Sequence, residues 1–100
     1  MENYGEVSVL DFMRLMKDFL DRRISADQYA RDYFGLSKKR INISDGAISR
    51  ITQQAYGDAD DYESDPAIRY PKWIGEPELR ERVTKSLHEL EALGYRLDQG

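Results

Sequence analysis

A chain of 100 residues, 40 % hydrophobic and 34 % charged, has material for one small core under a polar surface, and at this size it buries only about two thirds of the surface its unfolded form exposes. It has no cysteine, which removes disulfides and thiolate zinc sites, and no apolar run near the ~18 residues of a membrane span. Its 19 acids outnumber its 15 bases, giving a net charge of -4 and a pI near 5.0, which argues against a basic surface built to hold nucleic acid.

Between Ser8 and Arg22, the residues Val9, Phe12, Met13, Met16, Phe19 and Leu20 recur at helical spacing and form one apolar stripe. Ser8 stands where it can cap this first helix, and Asp11 lies three residues on, where a carboxylate favours the helix dipole. Ser25 and Gln28 then make an S-x-x-Q capping box, and Ala26, Tyr29, Ala30 and Tyr33 share a face until Gly35. So few residues separate the two stripes that an antiparallel hairpin is expected.

After the basic link "LSKKR" at 36–40, Ser44 is placed to cap a third helix that turns Ala47, Ile48, Ile51 and Ala55 to the core, with Gly57 as its stop. From 57 to 75, "GDADDYESDPAIRYPKWIG" has neither helical nor alternating periodicity and reads as a loop of about 19 residues, a length that in compact domains tends to carry function. The last helix opens at Glu76 with Pro77 in its first turn and carries Leu79, Val83, Leu87, Leu90 and Leu93 before Gly94. No strand run stands out. The expected fold is a single all-α domain over 1–100, an antiparallel four-helix bundle with a long acidic loop between the third and fourth helices.

That loop holds Asp58, Asp60, Asp61, Glu63 and Asp65, and without them 14 acids face 15 bases, so the net negative charge of the chain resides there. Such a cluster either solubilises or meets a cationic partner. As an EF-hand beginning at Asp58 it fails, because Tyr62 falls at position five, Glu63 where glycine is needed and Arg69 where the bidentate glutamate belongs. No metal or other cofactor is expected. The only histidine, His88, lies beside Leu87 as an ordinary surface or boundary residue, and no nucleophile with its base is evident, so no enzyme activity is expected. Tyr56, Tyr62, Tyr70 and Trp73 surround the acids; they suit a protein interface, while Tyr70 and Trp73 suit equally a small satellite core that folds the loop back onto the bundle.

Three stretches, "FLDRRISADQYARDYF" at 19–34, "DADDYESD" at 58–65 and "EPELRERVTKSLHEL" at 76–90, carry a likeness: the chain resembles the bacterial self-protective, colicin-like immunity proteins, in particular the colicin D type. The resemblance implies a small helical bundle that binds a nuclease toxin, cleaving transfer RNA in the colicin D case, and sets acidic side chains where the RNA phosphates would lie. Asp58 and Asp60 match the acidic positions, with Asp61, Glu63 and Asp65 beside them, and Tyr62 and Trp73 join them as expected toxin-contacting residues. A longer "AIRYPKWIG" segment makes a contact-dependent inhibition toxin as suitable a partner as a colicin. The expected setting is the cytoplasm, as a monomer in a 1:1 complex with the toxin, without direct nucleic-acid or membrane contact. The alternative is a general helical interaction module that recruits another basic protein.

Overall fold

The computed structural model describes residues 6–41, 46–68 and 73–97. Its elements in chain order are β1 (Glu6–Val7), α1 (Val9–Leu20), α2 (Ala26–Ser37), β2 (Arg40–Ile41), α3 (Gly46–Asp61), a 3₁₀ turn (Pro66–Ile68) and α4 (Glu76–Ala92). α1 packs on α2, α2 on α3, α3 on α4 and α4 back on α1, which closes a four-helix bundle.

The apolar stripes become its core. Val9, Phe12, Met13, Met16 and Phe19 are buried from α1, Ala26, Tyr29, Ala30 and Tyr33 from α2, and Leu79, Val83, Leu87 and Leu90 from α4. Aromatic rings bind the first hairpin together, with Phe19 stacked on Tyr29 at 4.8 Å and Phe12 tilted against Tyr33 at 5.1 Å. Two strands that the sequence does not announce pair in parallel, Glu6 with Arg40 and Val7 with Ile41. Two residues are too few for periodicity to show, and the ladder records that the α1–α2 hairpin returns the chain to its starting end.

The helix ends follow capping chemistry with instructive departures. The Asp11 carboxylate accepts from the Ser8 N–H at 3.0 Å, and Ser25 Oγ accepts from the Gln28 N–H at 3.1 Å. The Gln28 side chain does not complete the box; it donates down the helix to Asp32 at 2.8 Å and accepts from Arg31 at 2.9 Å. At the end of α4, Gly94 takes φ 107°, and the N–H groups of Gly94 and Tyr95 return to the Glu91 and Leu90 carbonyls. This Schellman turn leaves Leu93 as the cap, 47 % exposed, instead of extending the apolar stripe. The same motif closes α1 without glycine: Arg22 takes φ 65°, with Arg22 N–H to Phe19 O at 3.0 Å and Arg23 N–H to Asp18 O at 2.8 Å.

Neither expected glycine stop is one. α2 continues through Gly35 to Ser37, and α3 through Gly57 to Asp61. A helical glycine costs about 1 kcal/mol relative to alanine, less than the packing its neighbours gain by staying helical, as the burial of Ala59 at 2 % exposure shows. The acidic stretch is therefore not one loop: Asp58, Asp60 and Asp61 belong to the last turn of α3. The expected cap at Ser44 lies outside the described residues.

Candidate functional site

The site grows from the end of α3. Asp58 and Asp60 are two residues apart, so the helix turns their side chains roughly 200° from each other. Asp58 faces inward, 3 % exposed, toward α4. Its Oδ1 accepts from Gln54 Nε2 at 3.2 Å and from Arg82 Nη1 at 3.2 Å, and the same Arg82 nitrogen stands 3.8 Å from Asp61 Oδ2. Asp58 is a link between α3 and α4, and the expectation that it sits in an exposed loop is corrected. Asp61 is half-buried beside it, whereas Asp60 points outward, exposed and with no ion pair among the described residues.

Beyond α3 the chain is fastened at its base. The Ile74 N–H donates to the Asp61 carbonyl at 2.8 Å and the Glu63 N–H to the Ile74 carbonyl at 2.9 Å, a parallel bridge that pairs Tyr62 with Ile74. Ile74 is buried at 3 %, so the connection is pinned to the core through a residue the sequence reading passed over. Trp73 and Tyr62 are half-buried next to it, while Tyr70 lies outside the described residues. Within the connection, the Asp65 N–H donates to Glu63 Oε2 at 3.1 Å, and Asp65 Oδ1 accepts from the Ala67 N–H at 2.9 Å, which starts the 3₁₀ turn. Asp65 is exposed and Glu63 half-buried. Asp60, Asp61, Glu63 and Asp65 thus gather at one end of the bundle, with Tyr62 and Trp73 among them, and Asp58 beneath.

Two arginines that sequence reasoning missed hold this end in place. Arg82 is one. Arg80 is the other: its guanidinium lies 4.4 Å from the Phe19 ring centroid, Nη1 donates to the Phe19 carbonyl at 3.0 Å, and Nε donates to Glu76 at 3.0 Å. It so caps the C-terminus of α1 from the first turns of α4, where a cation is favoured by the helix dipole. The Glu76–Arg80 spacing is a visible i,i+4 pair, but the partners on α1 are about 60 residues away and leave no local signal.

Under the site lies a buried phenolic pair. The Tyr33 hydroxyl donates to the Thr52 carbonyl at 2.7 Å, whereas the Tyr29 hydroxyl has no hydrogen-bond partner among the described residues. Burial holds both phenols well above their ordinary pKa; the Tyr33 and Asp58 charges add to the shift of Tyr29, and Asp58 to that of Tyr33. Both rings stay neutral. No group of three or more histidine, cysteine or carboxylate side chains suited to a metal ion occurs among the described residues.

The inward polar groups of this end tie α3 to α4, and Asp60, Asp61, Glu63 and Asp65 stand near the half-buried Tyr62 and Trp73. Comparison with family models identifies the class: residues 7–90 match "Bacterial self-protective colicin-like immunity", and the chain belongs to this family. Its role is colicin-like immunity, the neutralisation of a toxin through binding without catalysis. Comparison with curated proteins and with solved structures found no match. No helix among the described residues is long and apolar enough to cross a membrane.

Proposed function

We propose that the chain neutralises a nuclease toxin, a transfer-RNA-cleaving RNase of a colicin or contact-dependent inhibition system, by laying the carboxylates at the end of α3 and in the connection that follows over the toxin's phosphate-binding groups. The observation that carries this reading is the grouping of the exposed Asp60 and Asp65 with the half-buried Asp61 and Glu63 beside Tyr62 and Trp73, in a family that acts on toxins. An enzyme that cuts RNA must present cations to phosphates, and carboxylates meet the same cations with charge-assisted hydrogen bonds. Asp58 serves the same surface from below, since it fixes Arg82 and through it Asp61. Opposite fields also speed encounter, to about 10⁸ to 10⁹ per molar per second at low salt, which suits a cell that must intercept its own toxin in the cytoplasm. The chain acts in this reading as a monomer, one per toxin.

The test uses the catalytic domain of the cognate toxin. Equimolar addition should abolish its cleavage of transfer RNA. The combined change of Asp60→Asn, Glu63→Gln and Asp65→Asn should weaken binding by about two orders of magnitude or more, because close charge pairs across comparable interfaces couple by about 1.5 to 7 kcal/mol. Full protection by that variant, or a toxin without nuclease activity, would refute the proposal.

A further inference from the structure

Two neighbouring residues of α3, Tyr56 and Gly57, lie outside the buried core. Tyr56 is 44 % exposed, and its ring is braced edge-on by Phe34 of α2 with centroids 5.3 Å apart. Gly57 follows in mid-helix with no positive φ, and a Cβ added there would meet nothing within 4 Å. Alanine would fit and would favour the helix, so no internal packing demands glycine. One turn past Tyr56 comes Asp60, exposed and with no ion pair among the described residues. Positions 53, 56, 57 and 60 share one outward helical face, so Gln53, Tyr56, Gly57 and Asp60 form a continuous strip.

We infer that this strip is a receptor for one arginine of the toxin: its guanidinium lies on the Tyr56 ring and bonds to the Asp60 carboxylate, and its aliphatic stem crosses the bare backbone at Gly57. Each part of the strip matches a part of that side chain. A guanidinium is planar and weakly hydrated and can stack on an aromatic face while donating in its own plane to a carboxylate, which a lysine ammonium cannot do together. Phe34 fixes the tyrosine ring before the partner arrives, which lowers the ordering cost of binding. Glycine in a helix leaves room for a close approach that any Cβ would obstruct. The inference rests on the proposed function, since a nuclease that grips phosphates is the partner expected to offer an arginine, and it places the anchor outside the seven residues read from the sequence as toxin contacts except Asp60.

Calorimetric binding of the cognate catalytic domain, with melting temperatures of the free variants, tests it. Gly35 supplies the matched control, being exposed in α2, equally open around its Cβ position, and set in the groove between α1 and α2. Gly57→Ala and Gly35→Ala should each raise the melting temperature by about 4 °C or more. Gly57→Ala should nevertheless weaken binding about five-fold or more, while Gly35→Ala leaves it within about two-fold, and Tyr56→Ala should cost about ten-fold against less than about three-fold for Tyr56→Phe, which keeps the ring face. Unchanged affinity in either Gly57→Ala or Tyr56→Ala overturns the inference. If the three-carboxylate variant still loses binding in that case, the proposed function survives alone; a parent chain that fails to bind the toxin overturns both.

Discussion

The flank of α3 that faces α4 and the flank that faces outward are made from the same stretch of sequence and handle charge in opposite ways. On the inner flank, Asp58 is buried and accepts from both Gln54 and Arg82, and its charge adds to the burial that keeps Tyr29 and Tyr33 protonated. On the outer flank, Asp60 meets solvent beside an exposed Tyr56. The contrast teaches that a run of carboxylates has no single purpose: helical phase, more than charge count, decides which of them the fold uses and which it leaves in solvent.

Changes on the inner flank should cost stability, and changes on the outer flank should cost binding. The largest effect is expected from Asp58→Ala, about 2 to 3 kcal/mol by urea denaturation. That is less than the 3 to 5 typical of a broken buried pair, because the Arg82 side chain is 43 % exposed and can turn to water. A loss under about 0.5 kcal/mol would show that Asp58 belongs with the outward carboxylates after all. Next comes alkaline pH. The raised phenols keep their protons in the fold while the unfolded chain releases them near pH 10, so the unfolded state binds fewer protons and stability falls as pH rises past 10. The slope is about 1.4 kcal/mol per pH unit for each tyrosine. Below that pH these two groups contribute no slope. The double change Tyr29→Phe with Tyr33→Phe should flatten the difference between pH 9 and pH 11.

The two tyrosines also separate from one another. Tyr29→Phe should stabilise by about 1 kcal/mol, because it removes a buried hydroxyl without a partner and keeps the ring on Phe19. Tyr33→Phe should destabilise by a similar amount, because it removes the buried hydrogen bond that ties α2 to the Thr52 carbonyl of α3. The smallest stability effect belongs to the outer flank: Asp60→Asn should move the urea midpoint by less than about 0.5 kcal/mol equivalent while it weakens toxin binding.

How far the sequence could foresee this division depends on the range of the interactions. The stripes of α1, α2 and α4 were legible because a core residue repeats every three or four positions, and the buried residues of α2 are the four read from the pattern. The extent of α3 was not, because Gly57 signals a stop locally and is overruled by Ala59 and by Asp58 meeting Arg82, 24 residues later. Asp58 was for that reason placed among exposed acids. The Arg80 contacts with the end of α1 and the Tyr62–Ile74 bridge are likewise tertiary, with no spacing rule to betray them. The aromatic and acidic character of the site was legible from composition, whereas the side each residue faces required the helical phase.

The bridge at the foot of the connection also bears on how such proteins diversify. Tyr62 and Ile74 are joined through backbone atoms, so replacing the side chains between them leaves the fastening untouched. Lengthening such a segment is cheap as well, at about 0.6 kcal/mol for each doubling. Under the proposed function the bundle is a chassis with an exchangeable cartridge: the side chains of the connection after α3 could be rewritten to follow a changed toxin while the backbone fastening is kept.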